Sequence, residues 1–181
     1  MSGLHDRGVV LKGSIIIGKM KDAKKILLFL IVICMVSCQK KEDEFGSVYN
    51  LNPQLILRLI NEQRTAGCKC GDTDMPPVPV VQWNRLLAKA AYEHSVDMNT
   101  HRTLNHTSFD GRSPDQRIKA TGYNPTDWGE NIAMGYSDEQ SVIKAWMQSR
   151  GHCTNIMNKN FTEVGVGREA NYWTMVLARP R

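Results

Sequence analysis

The chain has 181 residues, room for one domain plus a targeting segment, and its 41% hydrophobic and 23% charged residues suit a domain with a packed core. Its formal net charge of +5 is unevenly placed. Six Lys/Arg stand against two acids before Cys38, and 17 stand against 16 from there onward. The part from Cys38 onward is therefore nearly neutral, with no basic stripe interleaved with aromatics, and nucleic acid is excluded as a partner.

Met20 opens a basic stretch with Lys21, Lys24 and Lys25, and residues 26–36 (ILLFLIVICMV) form an apolar run. Eleven residues suit the core of a signal peptide and fall well short of the roughly 20 a transmembrane helix needs. The run meets Val36-Ser37-Cys38, which resembles a lipobox, where a small residue precedes a cysteine that is acylated and becomes the new N-terminus. Residues 1–37 are thus expected to be a lipoprotein signal peptide, with Met20 an alternative start. Lipidation at Cys38 would make the membrane a partner through a lipid anchor at the cell envelope. Residues 38–49 then read as a flexible polar tether ahead of one domain over residues 50–181. Cys34 and Cys38 belong to the leader. Cys68, Cys70 and Cys153 remain in a compartment where disulfides persist, and an odd number implies one pair and one spare thiol.

Within the domain, Asn52-Pro53 opens a helix with an apolar stripe at Leu55, Ile56, Leu59 and Ile60, stopped by Gly67. The Pro-rich stretch 68–82 cannot be helical. A second helix starts near Asn84, and Leu87, Ala91, His94 and Met98 make a core-facing row; His94 reads as a hydrogen-bonded core histidine. His101 falls at a helix end or loop and carries no signal. Ser113-Pro114-Asp115-Gln116 is a capping box for a short helix ending near Gly122, and Ser137-Asp138-Glu139-Gln140 is a second one for a helix running to Gly151. Residues 163–168 and 172–178 change to strand character and read as a hairpin. Helices followed by strands predict an α+β domain. Trp83, Trp128, Trp146 and Trp173 read as core or cleft wall. No Gly-x-Ser-x-Gly, P-loop or dinucleotide fingerprint is present.

Several segments in order carry a resemblance: Asn61-Glu62-Gln63-Arg64, Trp83-Asn84, His94-Ser95-Val96-Asp97-Met98, Asn105-His106-Thr107-Ser108, Gly129-Glu130-Asn131, Trp146 through to Gly151-His152-Cys153, Asn155-Ile156-Met157, and Val164-Gly165-Val166-Gly167. Together they resemble the bacterial branch of the CAP superfamily (cysteine-rich secretory proteins, antigen 5 and pathogenesis-related 1, with the SCP-like extracellular domain) over about residues 50–179. The resemblance implies a three-layer α-β-α sandwich with an open cleft where His106, Glu130 and His152 converge. In animal members a second acid follows the tryptophan of the fourth helix by three residues; here Ser149 stands there, a departure shared with bacterial relatives. It also implies a Cys70–Cys153 disulfide with Cys68 free, since a Cys-Gly often precedes the Pro-rich loop.

Two neutral imidazoles suit a divalent metal such as zinc with a position left for water. Glu130 could ligate, orient an imidazole, or serve as a general base, which makes it the candidate catalytic residue. Three functions follow: a monomeric surface protein whose cleft binds a small lipid, glycan, peptide or metal; a metal-dependent hydrolase acting on peptides or envelope polymers; or a structural envelope protein. The incomplete acid set favours binding.

Overall fold

The computed structural model describes residues 48–181. The expected signal peptide, the lipidation site at Cys38 and nearly all of the tether lie outside the described residues. Among the described residues no helix is long and apolar enough to cross a membrane.

Helix α1 (Pro53–Ala66) begins as its sequence dictates, with the Asn52 side chain accepting from the Leu55 amide at 3.0 Å and Pro53 at the first position, where a missing N–H costs nothing. Gly67 ends it at φ +70°. Strands β1 (Cys68–Cys70) and β2 (Thr73–Met75) pair as a small antiparallel hairpin, so the segment expected to be a loop carries local strand structure. After β3 (Gln82–Trp83), helix α2 (Arg85–His101) is capped by the Asn84 side chain, which accepts from the Leu86 and Leu87 amides. Its expected inner row of Leu87, Ala91, His94 and Met98 is fully buried. Helix α3 (Pro114–Ala120) has the reciprocal capping box of Ser113 and Gln116.

The second capping box is displaced. Asp138, not Ser137, caps α4 (Glu139–Gln148) by accepting from the Ser141 amide at 2.8 Å. The helix also stops earlier than expected, because Ser149 turns extended (φ −91°, ψ 121°) and a separate helix α5 (Arg150–Ile156) begins after it. Strand β4 (Pro125–Met134) has no counterpart among the elements expected from sequence. Strands β5 (Glu163–Glu169) and β6 (Tyr172–Pro180) form the anticipated hairpin.

The main sheet has the order β3-β5-β6-β4, with β3–β5 parallel and the other pairs antiparallel, which leaves β4 at an edge. Strand alternation sorts its residues into two faces. Val164, Val166, Trp173, Met175 and Leu177 pack with Ile56, Ile60, Val142, Trp146 and Ile156 from α1, α4 and α5. On the other face Val176 and Ala178 pack with Leu87, Ala90, Ala91 and Ile118 from α2 and α3. The result is the expected α+β sandwich of helix, sheet and helix. Gly165 and Gly167 let α2 lie directly on β5: a Cβ on Gly165 would sit 2.0 Å from the Ala88 nitrogen.

Arg64 ties the lower layer together. Its buried guanidinium donates to the carbonyls of Pro79, Ile156, Asn158 and Phe161, so one side chain joins α1, the Pro-rich segment and the end of α5. Burial lowers its pKa to about 10, and it stays charged at neutral pH.

Candidate functional site

The site gathers around edge strand β4, and the pleat decides which residue faces which layer. Glu130 pairs opposite Val176 and faces α2 and α3, whereas Asn131 pairs opposite Met175 and faces α5. Gly129 shares the Asn131 face, where a Cβ would stand only 3.1–3.2 Å from Phe161 and Asn155. The Gly-Glu-Asn run therefore places a close approach, a carboxylate and an amide on the two sides of one strand.

On the upper face the Glu130 carboxylate is buried and both oxygens are engaged. Nδ1–H of His106 donates to Oε1 at 2.8 Å, and Nη2 of Arg117 donates to Oε2 at 2.6 Å. Arg117, on α3 and 4% exposed, also donates through Nη1 to the carbonyls of His106 and Arg112 and to Ser108 Oγ. The buried ion pair thus holds both ends of His106, its ring and its carbonyl. In the neutral imidazole, bonding through Nδ1 makes Nε2 the lone-pair nitrogen, on a side chain that is 52% exposed. The chain continues inward: Ser108 donates to Nδ1 of His94 at 3.4 Å, and Nε2–H of His94 donates to the Asn105 carbonyl at 2.8 Å. His94 is the expected hydrogen-bonded core histidine. Burial first, and the Arg117 charge second, lower its pKa.

On the lower face, α5 carries His152. Asn131 donates to the His152 carbonyl at 3.1 Å, and Asn155 donates to Asn131 Oδ1 at 2.9 Å and to the Glu130 carbonyl at 3.3 Å, which bolts α5 to β4. Burial lowers the pKa of His152, and the neighbouring His106 lowers it further, so the ring is kept neutral. One residue on, Cys153 forms a disulfide with Cys70, with Cα atoms 5.4 Å apart, tying α5 to hairpin β1–β2; Cys68 keeps a free thiol. Ser149 sits at the junction of α4 and α5, half-buried, and its side chain caps neither helix.

Of the residues expected from sequence, His106 and Glu130 are in direct contact and His152 lies near His106. They do not converge as three metal ligands. Among the described residues, the one set of three His, Cys, Asp or Glu side chains whose ligand atoms lie within 4.8 Å of one another is Cys68, Cys70 and Cys153. Two imidazoles, one with its far nitrogen held by a carboxylate and one kept neutral, still suit a divalent metal as a pair. Sequence reasoning missed Arg117, Asn131 and Asn155 as members of the site. Asn131 and Asn155 lie in segments that carry the family resemblance; Arg117 sits on a short helix among exposed charges and has no such signal.

The comparisons agree with this architecture. Residues 57–176 match the cysteine-rich secretory protein family, CAP. The chain belongs to that family. It is 40% identical over 96 residues to the uncharacterized protein YkwD of Bacillus subtilis, covering 52% of this chain and 37% of that protein. This CAP domain is also similar to the crystal structure of an extracellular protein containing an SCP domain from Bacillus anthracis, with a TM-score of 0.63 and 28% identity over 70% of this chain and 39% of that one. An outer surface protein of Borrelia burgdorferi shares the fold, with a TM-score of 0.59 and 21% identity over 71% of this chain and 92% of that one. The matched region thus spans little more than a third of YkwD and of the Bacillus anthracis chain.

Proposed function

We propose that this CAP protein is an extracytoplasmic, lipid-anchored monomer whose cleft binds a ligand at the cell surface through His106 and His152. The observation that carries this reading is the buried Arg117–Glu130 pair, whose outward product is one oriented, half-exposed imidazole. Taking two charges out of water costs several kcal/mol per ion before their attraction offsets it. Packed apolar groups would stabilise the domain as well, so the pair is better explained by positioning His106 than by holding the fold. The surface and extracellular relatives, the signal-like leader and the lipobox-like Cys38 support the location.

A divalent metal such as zinc suits the two imidazoles, and when bound it would polarise an oxygen of a small lipid, glycan or peptide ligand. Glu130 serves in this reading as the group that orients His106. A hydrolytic role would need a carboxylate that a reacting water can reach, and the Glu130 side chain is 2% exposed.

Zinc titration by calorimetry tests the cleft, run in a Cys68→Ser background so that no free thiol in the domain competes. His106→Ala and His152→Ala should each weaken zinc binding at least tenfold, and unchanged affinity in both would reject this pair as the site. Mass spectrometry of the protein from its native envelope should find an acyl group on Cys38, and an unmodified Cys38 would remove the anchor.

A further inference from the structure

The cysteine cluster lies outside the histidine site. Cys68 and Cys70 are two residues apart on β1, so both side chains leave the same face of the strand, toward α5. The Cys68 sulfur stands 3.7 Å from the sulfur of Cys153 and 4.0 Å from that of Cys70. Cys70 and Cys153 are wholly buried, whereas Cys68 is partly exposed. The disulfide is therefore shielded from solution, with a free thiol in contact beside it that solution reagents can reach.

We infer that Cys68 is an exchange nucleophile that moves the disulfide between Cys70–Cys153 and Cys68–Cys153 and so opens the buried clamp to thiols in solution. The Cys68 thiolate attacks Cys153 Sγ, the Cys68–Cys153 bond forms and the Cys70–Cys153 bond breaks. Cys70 leaves as a thiolate and takes up the proton that Cys68 gave away, so nothing is oxidised or reduced. Cys153 is the shared partner. A Cys68–Cys70 bond would have to span two residues of one strand, roughly 6.6 Å between Cα atoms, at the far end of what a disulfide allows.

Cys68 now flanks both sulfurs, and the reaction needs it on the extension of the bond it attacks. The hairpin can supply that swing, since β1 and β2 are three residues each and Lys69, Gly71, Asp72, Thr73 and Asp74 are exposed. Burial raises the pKa of the Cys68 thiol, which lowers its thiolate fraction and slows each exchange without preventing it. Once the bond sits on Cys68, an external dithiol meets a partly exposed sulfur instead of two buried ones. The clamp it releases holds the helix that carries His152.

The test follows disulfide reduction by dithiothreitol in the full chain, with linked and alkylated peptides mapped by mass spectrometry so that Cys34 and Cys38 stay out of the count. Cys68→Ser should slow reduction of Cys70–Cys153 at least tenfold, and any smaller change overturns the inference. Without reductant, the unsubstituted chain held under native conditions should yield both linked peptides, Cys70–Cys153 and Cys68–Cys153; finding Cys70–Cys153 alone overturns it. Cys70→Ser should purify with a Cys68–Cys153 bond, and recovery of two free thiols at those positions overturns it. The first two measurements do not depend on that last variant folding.

Discussion

Replacing Arg117 tests the link between the buried ion pair and the site. The Arg117 and Glu130 side chains are 4% and 2% exposed, so Arg117→Met would strand a carboxylate whose remaining partner is Nδ1–H of His106. Breaking a buried pair from one side costs about 3–5 kcal/mol. The carbonyls of His106 and Arg112 and the Ser108 hydroxyl lose a donor as well, but the two carbonyls are only partly buried and water can replace part of that loss. A total of about 4 kcal/mol is expected, a large share of the roughly 5–15 kcal/mol that holds a typical domain. Glu130→Gln leaves the guanidinium buried against a neutral acceptor and should cost about 3 kcal/mol by the same reasoning. With both charges gone, the amide oxygen introduced by Glu130→Gln still accepts from His106, so the double variant should cost at least about 2 kcal/mol less than the two single losses together. Urea unfolding at pH 7, followed by fluorescence of the buried Trp146 and Trp173, measures all three. Losses that add within about 0.5 kcal/mol would show that the two groups are not coupled. A cost below about 1 kcal/mol for Arg117→Met would mean that the pair behaves as a solvent-exposed one.

Two further outcomes follow from the packing and the core histidine. Gly165→Ala brings a methyl to 2.0–2.6 Å from backbone atoms of Leu87 and Ala88, which cannot swing aside, so α2 must retreat and the domain should lose about 3 kcal/mol or fail to fold. Gly151→Ala in α5, where a methyl meets nothing within 4 Å, should instead gain about 0.5–1 kcal/mol by urea unfolding; equal effects at the two glycines would refute the close-approach account. The lowered pKa of buried His94 sets a pH dependence. The unfolded chain takes up this proton near 6.5 and the folded chain only at lower pH, so the unfolded state binds more protons in between. Stability should therefore fall as pH drops through about 6.5, by up to about 1.4 kcal/mol per pH unit from this one group, and level off below the folded value. His94→Gln keeps a donor for the Asn105 carbonyl and removes the titration, so its stability should change less between pH 7.5 and 5.5; an identical slope in the two proteins would refute the assignment.

The parts of the fold legible in sequence are those where one periodicity serves one purpose. Asn52-Pro53, the α2 row from Leu87 to Met98, the Ser113 capping box and the β5–β6 hairpin all repeat a local rule that the packing then uses. Strand β4 hid for the opposite reason. Its Glu130 and Asn131 break the alternation that marks a half-buried strand, because the sheet edge spends those positions on the site instead of the core. Glu130 faces Arg117 on one side and Asn131 faces α5 on the other, so both sides of the pleat are polar where a structural strand would be apolar on one. Residues that the period rule misreads were thus the ones that the family resemblance singled out. Ser149 shows the limit of both approaches: its neighbours continue a helical pattern, and only the geometry separates α4 from the short helix that presents His152 and Cys153. Arg117 lies beyond either, since its role exists only where α3 crosses β4, thirteen residues away in sequence.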